Sequence, residues 1–211
     1  MLNEKNDSAT QNGLAVDVYV AKIPDKVVLK PLYPAERTQE IETCQNERVK
    51  KQKYCVWKLL AYALRQSYGI QLEDLSLKKE KNGKWTAEGY FFSLSHCDDV
   101  AVVAVSRKKV GVDVEKISDK MKKLQEKFLT EKELCVLASQ ENKGFYLAEK
   151  WTQKESIFKM LSRTVFSPKT IQTSEYNTHT AFLKEMGNYI LSVAIEDDSA
   201  MKMRTHFVHL W

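Results

Sequence analysis

The chain is 211 residues long and 43% hydrophobic, enough to bury a sizeable core as one domain or two small lobes without disulfide or metal staples. Lys and Arg number 33 against 28 Asp and Glu, so the net charge is only +5, but it gathers in two runs, "NERVKKQKYCVWK" and "KKEKNGK". Either run suits an anionic partner or a solvated lysine-rich surface. Cys44, Cys55, Cys97 and Cys135 show no CxxC or Cys/His ligand spacing, which argues against a zinc site or a disulfide framework and for reduced thiols in the cytoplasm. The longest clearly apolar run, "VAVVAV", is far too short for a membrane span.

Residues 1–13, "MLNEKNDSATQNG", are polar, lack the basic-then-apolar pattern of a signal peptide and are predicted to be a disordered tail. "LAVDVYVAKI" alternates and is rich in β-branched residues, predicting a first strand. From about Glu36 to Tyr68 the pattern is helical, with Val56, Leu59, Leu60, Ala63 and Leu64 on one face and Gly69 at the C-terminal cap position. Asn82 and Gly83 between two short strand-like runs predict a hairpin. "GYFFSLSH" and "VAVVAVS" read as strands around a "CDD" turn, and "RKK" then leads into "VGVDVEK" as another hairpin. Helices follow: Thr130 with Glu133 fits a capping box, and a longer helix runs from about Phe145 to Leu161. Two strand-like segments, "NYILSVAI" and "MKMRTHFV", close the chain around the turn "EDDSA". The expected architecture is α+β, with two similar lobes meeting near residue 108 and no long linker.

Asp113 and Glu115 lie two apart on a strand, so they share a face while Val112 and Val114 point the other way. Such a pair is either the polar side of an edge strand or a seat for a divalent cation, and an all-oxygen pair suits Mg²⁺ with substrate phosphates. In "EKWTQKESIFKM" the helical period puts Leu147, Trp151, Phe158 and Leu161 on one stripe and Glu155 with Lys159 on its flank. That flank is a surface ion pair or, with Trp151 and Phe158 anchoring the helix in the core, one wall of a crevice. A third carboxylate and an ammonium there complete a set for a metal-bound diphosphate. His96, between Ser95 and Cys97 before a turn, is either a structural histidine or part of an anion site.

Together "FSLSHCDD", "VGVDVEKI" and "WTQKESIFKM", in this order, resemble the 4'-phosphopantetheinyl transferases of the two-lobed, surfactin-synthetase-activating type. The resemblance implies two pseudo-symmetric lobes, residues 14–108 and 109–211, with coenzyme A in the cleft between them. It also implies a Mg²⁺-dependent (Mn²⁺ possible) transfer of the phosphopantetheine arm to a serine of an acyl or peptidyl carrier protein by a monomer, with no nucleic acid or membrane involved. Carried over motif by motif, Asp113, Glu115 and Glu155 correspond to metal ligands, Glu155 to the group that takes the serine proton, and Lys159 to the lysine at the diphosphate. Ser95, His96, Lys84, Asp113, Lys159 and, in the basic stretch, Arg48 and Lys53 correspond to coenzyme A contacts. The chain departs from the family pattern at Ser93, Trp85 and Cys97, and "MLSRTVFSPK" holds no glycine where a glycine-rich turn usually follows the lysine. The competing readings are a metal-dependent nuclease and a non-catalytic module binding coenzyme A or a carrier protein.

Overall fold

The structure is a computed structural model describing residues 15–196 and 202–211, so the expected tail at 1–13 lies outside the described residues. The fold is mixed α+β: among the described residues nine strands (β1–β9) form three sheets, flanked by five α-helices (α1–α5). The first sheet has the order β4 (Phe91–Cys97), β5 (Val100–Ser106), β1 (Ala15–Lys22), β9 (Lys202–Val208). The second has the order β6 (Val110–Lys116), β8 (Tyr189–Ile195), β7 (Asn177–Leu183). The predicted Asn-Gly hairpin forms as β2 (Leu77–Lys79) and β3 (Trp85–Ala87), with Gly83 at a φ of +83°.

Strand alternation sorts the side chains into layers. Tyr19, Ala21, Ala101, Val103 and Val105 face α2 (Glu47–Tyr68) and its buried stripe Val56, Leu59, Leu60, Ala63 and Leu64. The alternate residues Val16, Val18, Val20, Val100, Val102 and Ala104 meet Val110, Val112, Val114, Leu191 and Val193 of the second sheet. On the far side of that sheet lies α5 (Lys143–Leu161), whose Ile157 and Met160 pack on Ala194. The layer order is therefore helix, sheet, sheet, helix. The shorter α3 (Lys120–Phe128) and α4 (Glu131–Ala138) enclose α5 through Phe128, Leu137 and Leu147.

Local signals hold where they are self-contained. Gly69 caps α2 in the left-handed region, and Thr130 with Glu133 forms the capping box of α4. The single helical stretch expected from Glu36 is instead two helices, α1 (Ala35–Glu42) and α2, because Asn46 caps α2 by accepting from Val49 N. On α5 the deepest face carries Leu147, Ala148, Ile157 and Met160, while Trp151 and Phe158 are half-buried against Phe128 and Phe166.

Long-range pairing departs from expectation at two places. No hairpin joins β5 to β6: β5 stays in the first sheet, β6 pairs with β8, and Arg107 in the connection is sandwiched between the rings of Tyr68 and Tyr90. Nor do the last two strands pair with each other. β9 crosses to the first sheet and runs parallel to β1, with Asp17 opposite Arg204 and Tyr19 opposite His206. The buried Asp17 carboxylate accepts from Arg204 Nε and Nη2, both at 2.6 Å, bonds His206 Nε2 and accepts from Ser67 Oγ, and the Tyr19 and His206 rings stack. Burial raises the Asp17 pKa, but these partners outweigh it and leave the carboxyl below its ordinary value. The turn "EDDSA" falls largely outside the described residues.

Candidate active site

The site forms where β4 of the first sheet runs beside β6 of the second. The two strands share no ladder. Instead the hydroxyls of Ser93 and Ser95 accept from the main-chain N–H groups of Val112 (3.0 Å) and Val114 (3.4 Å). Side chains thus take the place of a backbone partner, as buried amides require, and they bring "FSLSHC" against "VGVDVE". On the other side of β6, Gly111 lets α5 lie directly on the strand: a Cβ at this position would fall 1.8 Å from Ser156 O and 2.6 Å from Met160 N. This close approach carries Glu155 and Lys159 to Asp113 and Glu115.

The result is a groove of about 450 Å³ whose walls include Lys53, Ser95, His96, Asp113, Glu115, Glu155 and Lys159. Seven of the nine residues expected from sequence are therefore neighbours. Lys159 Nζ donates to Asp113 Oδ1 (2.6 Å), Ser95 Oγ (3.2 Å) and Val112 O (3.2 Å), and Ser95 Oγ donates to Asp113 Oδ1 (2.8 Å). Cys97 Sγ lies 3.2 Å from Glu115 Oε1, and burial followed by that charge pushes the thiol up to about 12. Glu155 makes no hydrogen bond or ion pair among the described residues. Burial, then the negative charge of Asp113, pushes it up to about 7 against the opposing pull of Lys159. Glu115 is raised by burial and by Asp113. His96 is brought down to about 4 by burial and by the positive charges of Lys159, Arg37 and Lys53, so its imidazole is neutral near pH 7.

The other two expected residues stand elsewhere. Arg48, at the exposed start of α2, pairs with Asp98. Lys84 lines an adjoining cleft of about 300 Å³, but its Nζ donates to Lys159 O (2.7 Å) and Ser162 Oγ (3.0 Å) at the C-terminal end of α5. Asn82 Nδ2 donates to Ser162 O (3.0 Å). Ser162 takes the left-handed conformation (φ 52°, ψ 34°) that a glycine would adopt at lower cost, so the β2–β3 hairpin braces the turn in which no glycine stands. Burial and the nearby Lys109 and Lys159 bring Lys84 down to about 8.

Sequence reasoning missed Arg37. Its guanidinium is buried, lies 4.7 Å over the Trp57 ring and faces both the groove and the adjoining cleft, and its Nε has no partner in the structure. Glu40 holds Arg37, Lys53 and Lys79 together at 3.0, 3.2 and 2.9 Å. Burial raises the Glu40 pKa, but the three cations prevail and bring it down to about 2. An acid whose pKa is lower in the folded state adds stability above its unfolded value near 4.5, and this is lost as pH falls towards 2. Wild type should therefore lose melting temperature faster than Glu40→Gln between pH 4.5 and 2. Parallel melting curves across that window would remove Glu40 from this role.

Three carboxylates gathered in one groove, all hard oxygen donors, are the chemistry that suits Mg²⁺ or Mn²⁺. As the side chains stand, however, no three His, Cys, Asp or Glu among the described residues are arranged to hold an ion. Asp113 is turned to Lys159 and Ser95, and Glu115 to Cys97.

Residues 109–199 match the family model described as the 4'-phosphopantetheinyl transferase superfamily. Among curated proteins, the 4'-phosphopantetheinyl transferase gsp of Aneurinibacillus migulanus is 31% identical over 136 residues, covering 60% of this chain and 57% of that protein. The 4'-phosphopantetheinyl transferase psf-1 of Bacillus pumilus is 29% identical over 112 residues, covering 51% and 48%. The chain thus spans about half the length of the curated relatives it matches. All four cysteines are free, and no helix among the described residues is long and apolar enough to cross a membrane.

Proposed function

We propose that this chain, which belongs to the 4'-phosphopantetheinyl transferase superfamily, moves the phosphopantetheine arm of coenzyme A onto a serine hydroxyl of an acyl or peptidyl carrier protein. The observation that carries this reading is Glu155, a half-buried carboxylate with no hydrogen-bond or ion-pair partner among the described residues, set among two further acids, a lysine and a neutral histidine in one groove.

Attack by the serine oxygen on the diphosphate forms a new P–O bond and breaks the one to the leaving adenosine 3',5'-bisphosphate. The protein must neutralise phosphate charge, align the oxygen and take up its proton. Glu155 accepts that proton, directly or through a water, from a pKa close to working pH. Lys159, Arg37 and Lys53 supply positive charge along the groove, and His96 can donate a ring N–H to a phosphate oxygen while neutral. Asp113, Glu115 and Glu155 are the residues that would hold a divalent cation, which when bound neutralises the diphosphate. The nucleoside end then occupies the adjoining cleft, with Lys84 in its wall, and Arg48 is left to Asp98. In this reading residues 14–108 and 109–211 act as two lobes around the coenzyme, with β9 returning to the first. The enzyme works as a monomer in the cytoplasm, and its +5 charge favours acidic carriers.

The test is to incubate the protein with an apo carrier protein, coenzyme A and Mg²⁺ and to weigh the carrier. A phosphopantetheine-sized gain is expected. Carrier binding without a gain would instead support a binding module, and nucleic-acid cleavage a nuclease. Glu155→Gln has no partner to lose and should melt no lower than wild type, yet transfer at least about a hundredfold more slowly. A wild-type rate in that variant would remove Glu155 from the chemistry.

A further inference from the structure

The groove holds a contradiction that its own geometry resolves. Lys159 Nζ has three N–H donors, and all three are directed at the protein: Asp113 Oδ1, Ser95 Oγ and the main-chain oxygen of Val112. No donor remains for a phosphate. On Asp113 one oxygen is committed in the same way: the side chain is only 9% exposed, and its Oδ1 takes both the ammonium and the Ser95 hydroxyl. Lys159 on phosphate requires this pair to part, and a cation on Asp113 would share one carboxylate with the ammonium.

We propose that Lys159 is the counter-ion that closes Asp113 to a divalent cation, so that the cation is held firmly only when a diphosphate has drawn the ammonium away. The inference rests on the transferase reading of the groove and adds to it an order of events. An ammonium at 2.6 Å and a divalent ion on the same nearly buried carboxylate repel each other strongly in a medium of low effective dielectric. A diphosphate changes the balance, since it offers Lys159 several charge-assisted acceptors in place of one carboxylate oxygen. The freed Asp113 then stands with Glu115 and Glu155 in one groove, and the cation has its acids together. In the absence of diphosphate the ion pair keeps two opposite charges matched in a half-buried site, where separating them is costly. Coenzyme and cation consequently bind with positive coupling, each tightening the other by the same factor.

The test measures Mn²⁺ binding by paramagnetic resonance or calorimetry, with no carrier protein and no turnover. Wild type should bind Mn²⁺ weakly alone and at least tenfold more tightly with saturating coenzyme A. Lys159→Met should bind Mn²⁺ alone at least tenfold more tightly than wild type, and adding Asp113→Asn to it should abolish the gain. Lys159→Gln serves the same purpose should the methionine variant fail to fold, as judged by its melt. Lys159 variants that bind Mn²⁺ no more tightly than wild type would overturn the proposal, as would wild-type affinity indifferent to coenzyme A. Either result alongside a normal mass gain on the carrier would sink this inference alone. Absence of that mass gain would sink the transferase reading.

Discussion

Gly111→Ala is expected to lower the melting temperature by about 10 °C and to reduce transfer further than the loss of folded protein accounts for. The added carbon would sit 1.8 Å from Ser156 O and 2.6 Å from Met160 N, and both are backbone atoms of α5 that no rotamer change can move aside. Relief requires the helix to rise from β6 by about 2 Å, the gap between that distance and ordinary van der Waals contact. A close-packed interior does not stretch: Ile157 and Met160 would lose contact with Ala194, at about 3 kcal/mol or more for overpacking against rigid backbone. The same displacement draws Lys159 from Asp113 and Glu155 from the groove, so the site fails even in molecules that remain folded. Thermal melts together with carrier mass at low temperature check both parts, and a variant that melts like wild type would mean that α5 does not rest on β6 as described.

The same glycine shows what sequence can and cannot reveal. "VGVDVEK" is legible as a strand with Asp113 and Glu115 on one face, because the period of two is a local property. The Gly69 cap, the Thr130 capping box and the Asn82–Gly83 hairpin are local in the same way. The partners of β6 are not. Its seam with β4 runs through the Ser93 and Ser95 hydroxyls, an arrangement with no periodic signature, and its ladder lies with a strand some eighty positions later. β9 looks like the second arm of a hairpin until Asp17, near the other end of the chain, is seen to receive Arg204 and His206. Of the seven expected site residues that share the groove, six lie in the three motifs that name their chemistry, and Lys53 comes from the basic stretch. Arg37 escaped notice because an arginine in "PAERTQE" reads as helix surface, and it is Trp57 and the Lys53 main-chain oxygen of the next helix that turn it inward. Lys84 shows the converse: its residue type suits phosphate, while its amine is committed to the end of α5.

Lys154→Met is expected to cost about 3 kcal/mol, or about 6–12 °C in melting temperature, while leaving the groove itself in place. Lys154 is fully buried one position before Glu155, about a quarter-turn round α5 from it, and faces α3 and α4 rather than the groove. Its Nζ donates to Phe128 O (2.8 Å) and Glu133 Oε2 (2.7 Å). That same carboxylate oxygen accepts from Thr130 N and Thr130 Oγ1, so one lysine ties α5 to the last residue of α3 and to the cap of α4. Burial lowers the Lys154 pKa, and Glu133 opposes the shift, the pattern of a charge retained by its partner. Methionine fills nearly the same volume, so the loss comes from leaving Glu133 without its cation and Phe128 O without its donor. Glu133 keeps its Thr130 bonds and is 16% exposed, which holds the expected cost at the lower end of the range for a broken buried pair. Pairing Lys154→Met with Glu133→Gln removes the unmatched charge and should recover a substantial part of the loss, giving a coupling readable from a double-mutant cycle. Transfer per folded molecule at low temperature should stay near wild type, since none of the groove's charges has moved. A single variant melting within a degree of wild type, or a double variant no more stable than the single, would show that this buried pair does not join the helices.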